Sequence, residues 1–212
     1  MVVIRRLTAL VALLLVTTLA STSPAQAAES TVIGGQQVYI GQDMCFTGFA
    51  VEHDQLGHGF VTSDACGLVG QQVSLPGGEQ IGTVRLRMPG WLWVQLSEGR
   101  TAAPYVHPDH PVVGAQPPPM GEPVCRSSPV LGWMCGQITA TNQTVNLPQG
   151  TITGVTRTNL CGDVAPGSPY LANGHAQGVH LAGNGNCSAG VDYFYPLTSM
   201  LNAVPQLSLM TV

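Results

Sequence analysis

The sequence predicts an all-β protein made of two similar domains, and three observations support this fold class. Apolar residues alternate with period two in several short segments that are separated by glycine-rich turns. A helical pattern is nearly absent until the C-terminal end of the chain. Seven prolines fall within residues 104–123, between two halves that each contain cysteines, which indicates a linker.

Residues 1–27 have the composition of a secretory signal peptide. Arg5 and Arg6 precede an uncharged apolar run, and Ala25-Gln26-Ala27 matches the small-x-small pattern at which signal peptidase cleaves. The run is too short for a membrane helix, and no later stretch approaches the roughly 18 apolar residues that such a helix needs. We therefore predict a soluble exported protein of 185 residues, located outside the cell or in its envelope, with no membrane insertion.

The composition of the exported chain excludes some partners. It keeps five Arg, no Lys and all eleven acidic residues, which gives a formal net charge of −6. Such a chain is unsuited to bind nucleic acid or an anionic membrane surface. Only 8% of all residues are charged and 44% are hydrophobic, so the chain can bury a core.

The first predicted β-domain comprises residues 28–103 and the second comprises residues 124–212. In the first domain, Val84, Leu86 and Met88 alternate with two arginines, and residues 91–96 are rich in β-formers. In the second domain, Val145 and Leu147 alternate before a turn. The proline density of residues 104–123 predicts an extended crossing without interior strands or helix.

One helix is predicted, close to the C-terminus. Four apolar residues recur at the i, i+3, i+4 and i+7 positions of a helix that begins after Pro196. They are Leu197, Met200, Leu201 and Val204. This pattern predicts about two turns of helix that cap a core.

Six cysteines follow the leader, and an even number in an exported protein predicts three disulfides. They are Cys45, Cys66, Cys125, Cys135, Cys161 and Cys187. A zinc site is disfavoured because no two of them have the close spacing of a zinc knuckle. The spacing alone leaves fifteen possible connectivities open.

Several motifs together resemble one known family. The most specific stretch contains Val-Cys-Arg-Ser-Ser from Val124, Gly-Trp-Met-Cys-Gly from Gly132 and Ile-Thr-Ala-Thr-Asn-Gln-Thr-Val-Asn from Ile138. Further motifs lie at residues 33–35, 45–49, 60–67, 154–161 and 183–188. The chain resembles the secreted bacterial chymotrypsin-fold serine endopeptidases of the streptogrisin and α-lytic type, over nearly all of the exported part.

This resemblance implies two six-stranded antiparallel β-barrels with an active cleft between them. It also implies the disulfides Cys45–Cys66, Cys125–Cys135 and Cys161–Cys187. It assigns the wall of the substrate pocket to a strand and the loop that follows it. The residues of that wall are Val179, His180, Leu181, Gly183 and Gly185.

The catalytic triad of the family is lost at all three positions. Ala65 stands where the family has its histidine base, and the neighbouring Asp64 is too weak a base to replace it. Gly90 runs directly into Trp91, where the family inserts its aspartate. The nucleophile loop is one residue short, so that Pro166 or Val164 occupies the place of the serine, and neither is a nucleophile.

We therefore expect a protease homologue without catalysis, which is monomeric and needs neither cofactor nor metal. Its expected ligand is a peptide, a protein or a cell-envelope component, bound in the cleft or along the proline-rich crossing. One rival reading is a hydrolase with a relocated triad, made from Ser168, Asp163 and either His175 or His180. Another rival reading is a purely structural protein of the cell envelope.

Two further features each have two readings. His107, Asp109 and His110 could bind a metal, but the prolines beside them favour an exposed loop. Trp91 and Trp93, two apart on a strand, could form an aromatic platform for a glycan or peptide, although packing in a core or between the barrels is favoured.

Overall fold

The computed structural model describes residues 31–117, 119–128, 132–162, 166–185 and 190–212. The predicted signal peptide lies outside these residues. The described residues are mostly strand, as the alternating pattern predicts.

Eight strands precede the proline-rich segment, and a single 3-10 turn at Asp64–Cys66 follows the fifth strand. They are β1 Val32–Gly34, β2 Gln37–Ile40, β3 Asp43–Phe46, β4 Ala50–His53, β5 Gly57–Thr62, β6 Gln72–Ser74, β7 Gln80–Met88 and β8 Trp91–Leu96. Strand β8 lies between β5 and β7 and is buried at five of its six residues. The sequence predicts only half-burial of this strand. The observed burial is greater because a sheet that curves into a barrel is covered on its inner face, and the second barrel packs against its outer face.

The proline-rich segment contains three short strands, so the prediction that it is free of strands is wrong. They are β9 Ala102–Val106, β10 His110–Pro111 and β11 Gly114–Ala115. Strand β9 pairs with both β1 and β10, although it includes Pro104. Proline is tolerated there because the register with β1 is irregular and the Pro104 carbonyl still accepts a hydrogen bond from the Val112 amide at 2.8 Å.

The second half forms a closed barrel of six strands. They are β12 Pro123–Ser128, β13 Gly132–Leu147, β14 Gly150–Thr158, β15 Pro169–Ala172, β16 His175–Gly183 and β17 Asp192–Pro196. The ring runs β12-β13-β14-β17-β16-β15 and closes because β15 pairs with β12. The predicted two-barrel fold is confirmed.

The C-terminal residues return to the first barrel. Helix α1 covers Leu197–Ala203 directly after Pro196, which confirms the predicted helix, and Leu197 and Met200 are buried. Strand β18, Leu207–Leu209, then pairs with β4 and becomes the eighth strand of the first sheet. Within the described residues, no helix has the length and the apolar composition needed to cross a membrane.

The two barrels share one apolar cluster. It combines Val51, Trp91 and Trp93 from the first barrel with Leu171 and Val179 from the second. Both tryptophans are at most 1% exposed, and the Trp93 indole nitrogen donates to the Val51 carbonyl at 3.1 Å. The packing interpretation is therefore confirmed, and the aromatic platform is excluded because neither ring reaches the surface.

Candidate functional site between the two barrels

The segments that carry two of the three assigned triad positions, Ala65 and Pro166, are in contact where the barrels meet. Ala65 is exposed in the 3-10 turn, and the neighbouring Cys66 sulfur lies 3.8 Å from the Pro166 carbonyl oxygen. That carbonyl also accepts a hydrogen bond from the Phe46 amide at 3.0 Å, which ties the segment to the first barrel. Val164 and Asp163 lie outside the described residues.

Gly90 occupies the tight turn between β7 and β8. Met88 pairs with Trp91, so only Pro89 and Gly90 connect the strands, and the Gly90 φ of 90° is the left-handed value that a type II turn requires. A Cβ atom at Gly90 would lie 2.5 Å from Cδ2 of the Tyr195 ring. The turn therefore holds no carboxylate, and a side chain at Gly90 would require the Tyr195 ring to move.

The backbone of His180 contacts the residues that follow Pro166, but its imidazole ring is bonded elsewhere. The amide of Gly167 donates to the His180 carbonyl at 3.0 Å, and the His180 amide donates to the Ser168 carbonyl at 2.8 Å. The His180 ring, however, places Nδ1 2.9 Å from Oδ1 of Asp192 and 3.2 Å from the Tyr170 hydroxyl. The ring is therefore engaged inside the second barrel.

His180 belongs to a buried polar cluster that we define as Arg126, Tyr170, His180 and Asp192, each at most 4% exposed. The Arg126 guanidinium pairs with Asp192 and donates to the carbonyls of Cys161 and Gly162 at 3.1 Å each. The Tyr170 hydroxyl donates to Asp192 at 2.6 Å. Burial, followed by the charge of Asp192, raises the pKa of Tyr170 well above its usual value.

The residues predicted as a pocket wall divide into two groups. Three of them are buried. Val179 packs in the apolar cluster between the barrels, His180 belongs to the buried polar cluster, and Leu181 packs in a small cluster with Ile152. Only Gly183 is exposed, and Gly185 is partly exposed with a φ of 63°. The sequence pattern does not separate the two groups, because every residue of this stretch lies in or beside one strand.

Gly183 borders an open groove of about 370 Å³ that we call the Gly183 groove. It runs between the end of β13 and the loop after β16. Its lining residues are Thr144, Val145, Asn146, Leu147, Ala182, Gly183, Asn184, Val191 and Tyr193. The groove offers both apolar and polar contacts to a ligand.

Two adjoining cavities lie between the barrels beside Ala65, and we call them together the Asp64 groove. Their volumes are about 340 and 160 Å³, and Asp64, Arg87 and Gln149 line both. Ala65 and Asp43 line the larger cavity, whereas residues 150–152 of the second barrel line the smaller one. The sequence indicates Asp64 only as a weak substitute base, and no motif points to its place in this groove.

The disulfide predictions are confirmed where both cysteines are described. Cys45 bonds to Cys66 and Cys125 bonds to Cys135. Cys161 is also disulfide-bonded, but its predicted partner Cys187 lies outside the described residues, so the third pairing stays a prediction. The first bridge fixes the turn that carries Ala65.

The alternative sites lack the geometry they would need. Ser168 has no exposed surface, so its hydroxyl cannot reach a substrate from solvent. His110 stacks on Trp133 with ring centroids 4.2 Å apart, and its Nε2 atom lies 3.9 Å from Asp109. Across the described part of the chain, no group of three or more His, Cys, Asp or Glu side chains is placed to hold a metal ion.

Comparisons with known proteins agree with this architecture. The chain is 35% identical over 196 residues to streptogrisin-C of Streptomyces griseus, which covers 88% of this chain. It spans 43% of the length of streptogrisin-C, less than half of that protein. No protein-family model matches the chain.

Solved structures match over their full length. Protease A of Thermobifida fusca is 36% identical with a TM-score of 0.77, and 86% of this chain and 100% of that one are covered. The Nocardiopsis protease is also 36% identical, with a TM-score of 0.75 and the same coverage.

Proposed function

We propose that this chain, which belongs to the streptogrisin and α-lytic family of bacterial chymotrypsin-fold serine proteases, is an exported member without catalytic activity that binds a ligand in the cleft between its barrels. The ligand class is a peptide, a protein or a component of the cell envelope. Export is inferred from the signal-like residues 1–27.

The observation that carries the proposal is the chemistry of the three assigned positions. A methyl group at Ala65 cannot accept a proton, a glycine cannot orient a base, and a proline cannot attack a carbonyl. Pro166 also lacks the backbone N–H that a nucleophile residue contributes to the oxyanion hole. The site thus lacks base, orienting acid, nucleophile and one oxyanion donor.

The surroundings of these positions indicate that more than one exchanged side chain separates the site from a working triad. The Tyr195 ring occupies the space that a side chain at Gly90 would need. The Pro166 carbonyl accepts a hydrogen bond from the Phe46 amide, and the His180 ring contacts Asp192 and Tyr170. No single substitution would therefore restore the relay of nucleophile, base and acid.

A ligand-binding role is supported by the cavities that remain. The Asp64 groove includes Ala65, the Gly183 groove includes the predicted pocket-wall residue Gly183, and both draw residues from strand ends or turns. Peptides commonly bind such grooves through backbone hydrogen bonds and side-chain contacts, which do not depend on a triad. The relocated hydrolase is disfavoured because Ser168 is fully buried.

Two measurements on the purified exported chain test the proposal. Titration with a fluorophosphonate serine probe should give no stoichiometric labelling, and a peptide library should contain saturable ligands tighter than millimolar. Stoichiometric labelling would support the relocated hydrolase and overturn the non-catalytic assignment. A library without any saturable ligand would support a structural envelope protein instead.

A further inference from the structure

We propose that the Asp64 groove selects a cationic group, an ammonium or a guanidinium carried on a peptide with an apolar neighbour. This inference rests on the proposed binding function and specifies its ligand chemistry. It depends on residues that have no part in the assigned triad.

The groove is built from both barrels. Gly67, Leu68, Gln71 and Arg87 come from the first barrel, and Pro148 and Gln149 come from the turn between β13 and β14 of the second. A ligand in this position touches both halves of the protein. The adjoining cavity continues the groove past Pro89 and Gln149 to Ile152.

Asp64 is the unusual residue among those that line the Asp64 groove. Its side chain is only 4% exposed, and Oδ1 has no hydrogen-bond partner among the described residues. Oδ2 lies 3.6 Å from a terminal nitrogen of Arg87, too long for a close charge-assisted hydrogen bond. The Arg87 Nε atom donates to the Asp64 backbone carbonyl at 3.3 Å instead.

The negative charge of Asp64 is therefore only partly neutralised inside the protein. A buried carboxylate without full pairing is costly, and a cation that approaches it through a low-dielectric wall offsets part of that cost. Asp64 thus contributes negative potential beneath the groove, while direct contact with the ligand falls to groups at its surface.

Asp43 provides that direct contact. It is exposed at the start of β3 and lines the same cavity, which Gln71 and Gln149 also line. Asp43, Asp64 and Arg87 together carry a net charge of −1. The whole exported chain carries −6 and no lysine, which favours the approach of a cation rather than an anion.

Apolar contact is available beside the charge. Leu68 lines the groove and is 60% exposed, and Met88 lines the adjoining cavity and is 40% exposed. Large apolar side chains exposed at a groove indicate a binding surface when they lie together with polar groups. A basic residue next to an aliphatic one in an extended peptide matches both features.

The test compares two probes that differ only in charge. The acetylated and amidated tetrapeptide Ala-Leu-Arg-Ala is compared with the same peptide in which the neutral isostere citrulline replaces arginine. Calorimetry at low ionic strength should give about tenfold tighter binding of the arginine peptide, which corresponds to about 1.4 kcal/mol. Raising the salt concentration should reduce this preference.

Three variants distinguish the charges of the Asp64 groove from the effect of the protein's net charge. Asp64→Asn should reduce the preference to about twofold or less, and Asp43→Asn, an exposed substitution that folding tolerates, should reduce it partly. Arg87→Gln should strengthen the preference, because Asp64 then loses its internal cation. Asp54→Asn is the matched control, since Asp54 is 56% exposed in the turn between β4 and β5 and lines neither cavity.

Equal binding of both peptides by the unaltered protein would overturn the cation assignment while leaving a binding function in place. Weaker binding after Arg87→Gln would also overturn it, since Arg87 would then be the ligand contact. Fluorophosphonate labelling, measured on the same sample, would instead overturn the proposed function itself.

Discussion

Replacing Arg126 by methionine should destabilise the protein severely. Arg126 has no exposed surface, and its guanidinium holds Asp192, Tyr170 and the carbonyls that lead into the shortened loop. Methionine fills a similar volume but leaves Asp192, itself 1% exposed, without its cation.

The magnitude follows from the burial of the partner. Removing one partner of a buried ion pair costs about 3–5 kcal/mol, because the remaining charge is uncompensated. Asp192 keeps the Tyr170 hydroxyl at 2.6 Å and the His180 ring at 2.9 Å, which places the expected loss near the lower end, about 3 kcal/mol. This is a large part of the roughly 5–15 kcal/mol by which domains are stable.

Urea unfolding with the disulfides intact measures the effect as a shift in midpoint at constant slope. Arg85→Met is the control, because Arg85 is exposed and donates to Gln95 at the surface, so we expect a loss below about 0.5 kcal/mol. Adding Asp192→Asn to Arg126→Met should recover part of the loss. Equal stability of Arg126→Met and Arg85→Met would refute the reasoning.

Three further predictions concern Pro166, Trp93 and Tyr170. Pro166→Ser alone should remain unlabelled by a fluorophosphonate and inactive on peptides, because it faces Ala65 rather than a base; steady turnover would reveal a base outside this account. Trp93→Ala should lower the free energy of unfolding by about 3–5 kcal/mol, since the ring is fully buried between the barrels, and a loss below about 1 kcal/mol in urea would contradict that role. Because the pKa of Tyr170 is raised, the folded state holds the hydroxyl proton of Tyr170 more tightly than the unfolded state does. The contribution of this group to the free energy of unfolding is therefore complete below about pH 10 and is lost as the pH rises further. In Tyr170→Phe, unfolding free energy should fall less steeply between about pH 10 and 12, and an equally steep fall would contradict the assignment.

Local patterns predicted the features that depend on neighbouring residues. Alternation around Val84 located β7, although an irregular register between Val84 and Leu86 leaves Met88 exposed. The helix after Pro196 followed from its apolar spacing. The motif around Cys125 identified the family and, through it, two confirmed disulfides.

Features that depend on distant contacts could not be predicted. Arg126 and Asp192 are 66 residues apart, and only the closed barrel brings them together. Strand β18 joins β4 because the C-terminal segment crosses back to the first barrel, which its sequence does not indicate. The burial of His180 and the exposure of Gly183 likewise follow from the position of β16 in the ring.

The lack of catalysis proposed for this chain can be measured as the proteolytic activity of the unaltered protein. Mass spectrometry of a diverse peptide mixture, incubated with the purified exported chain and with an active family member in parallel, would detect cleavage of any peptide bond. We expect cleavage by the active relative and none by this chain above a buffer blank. Specific cleavage that is saturable and survives repurification would contradict it.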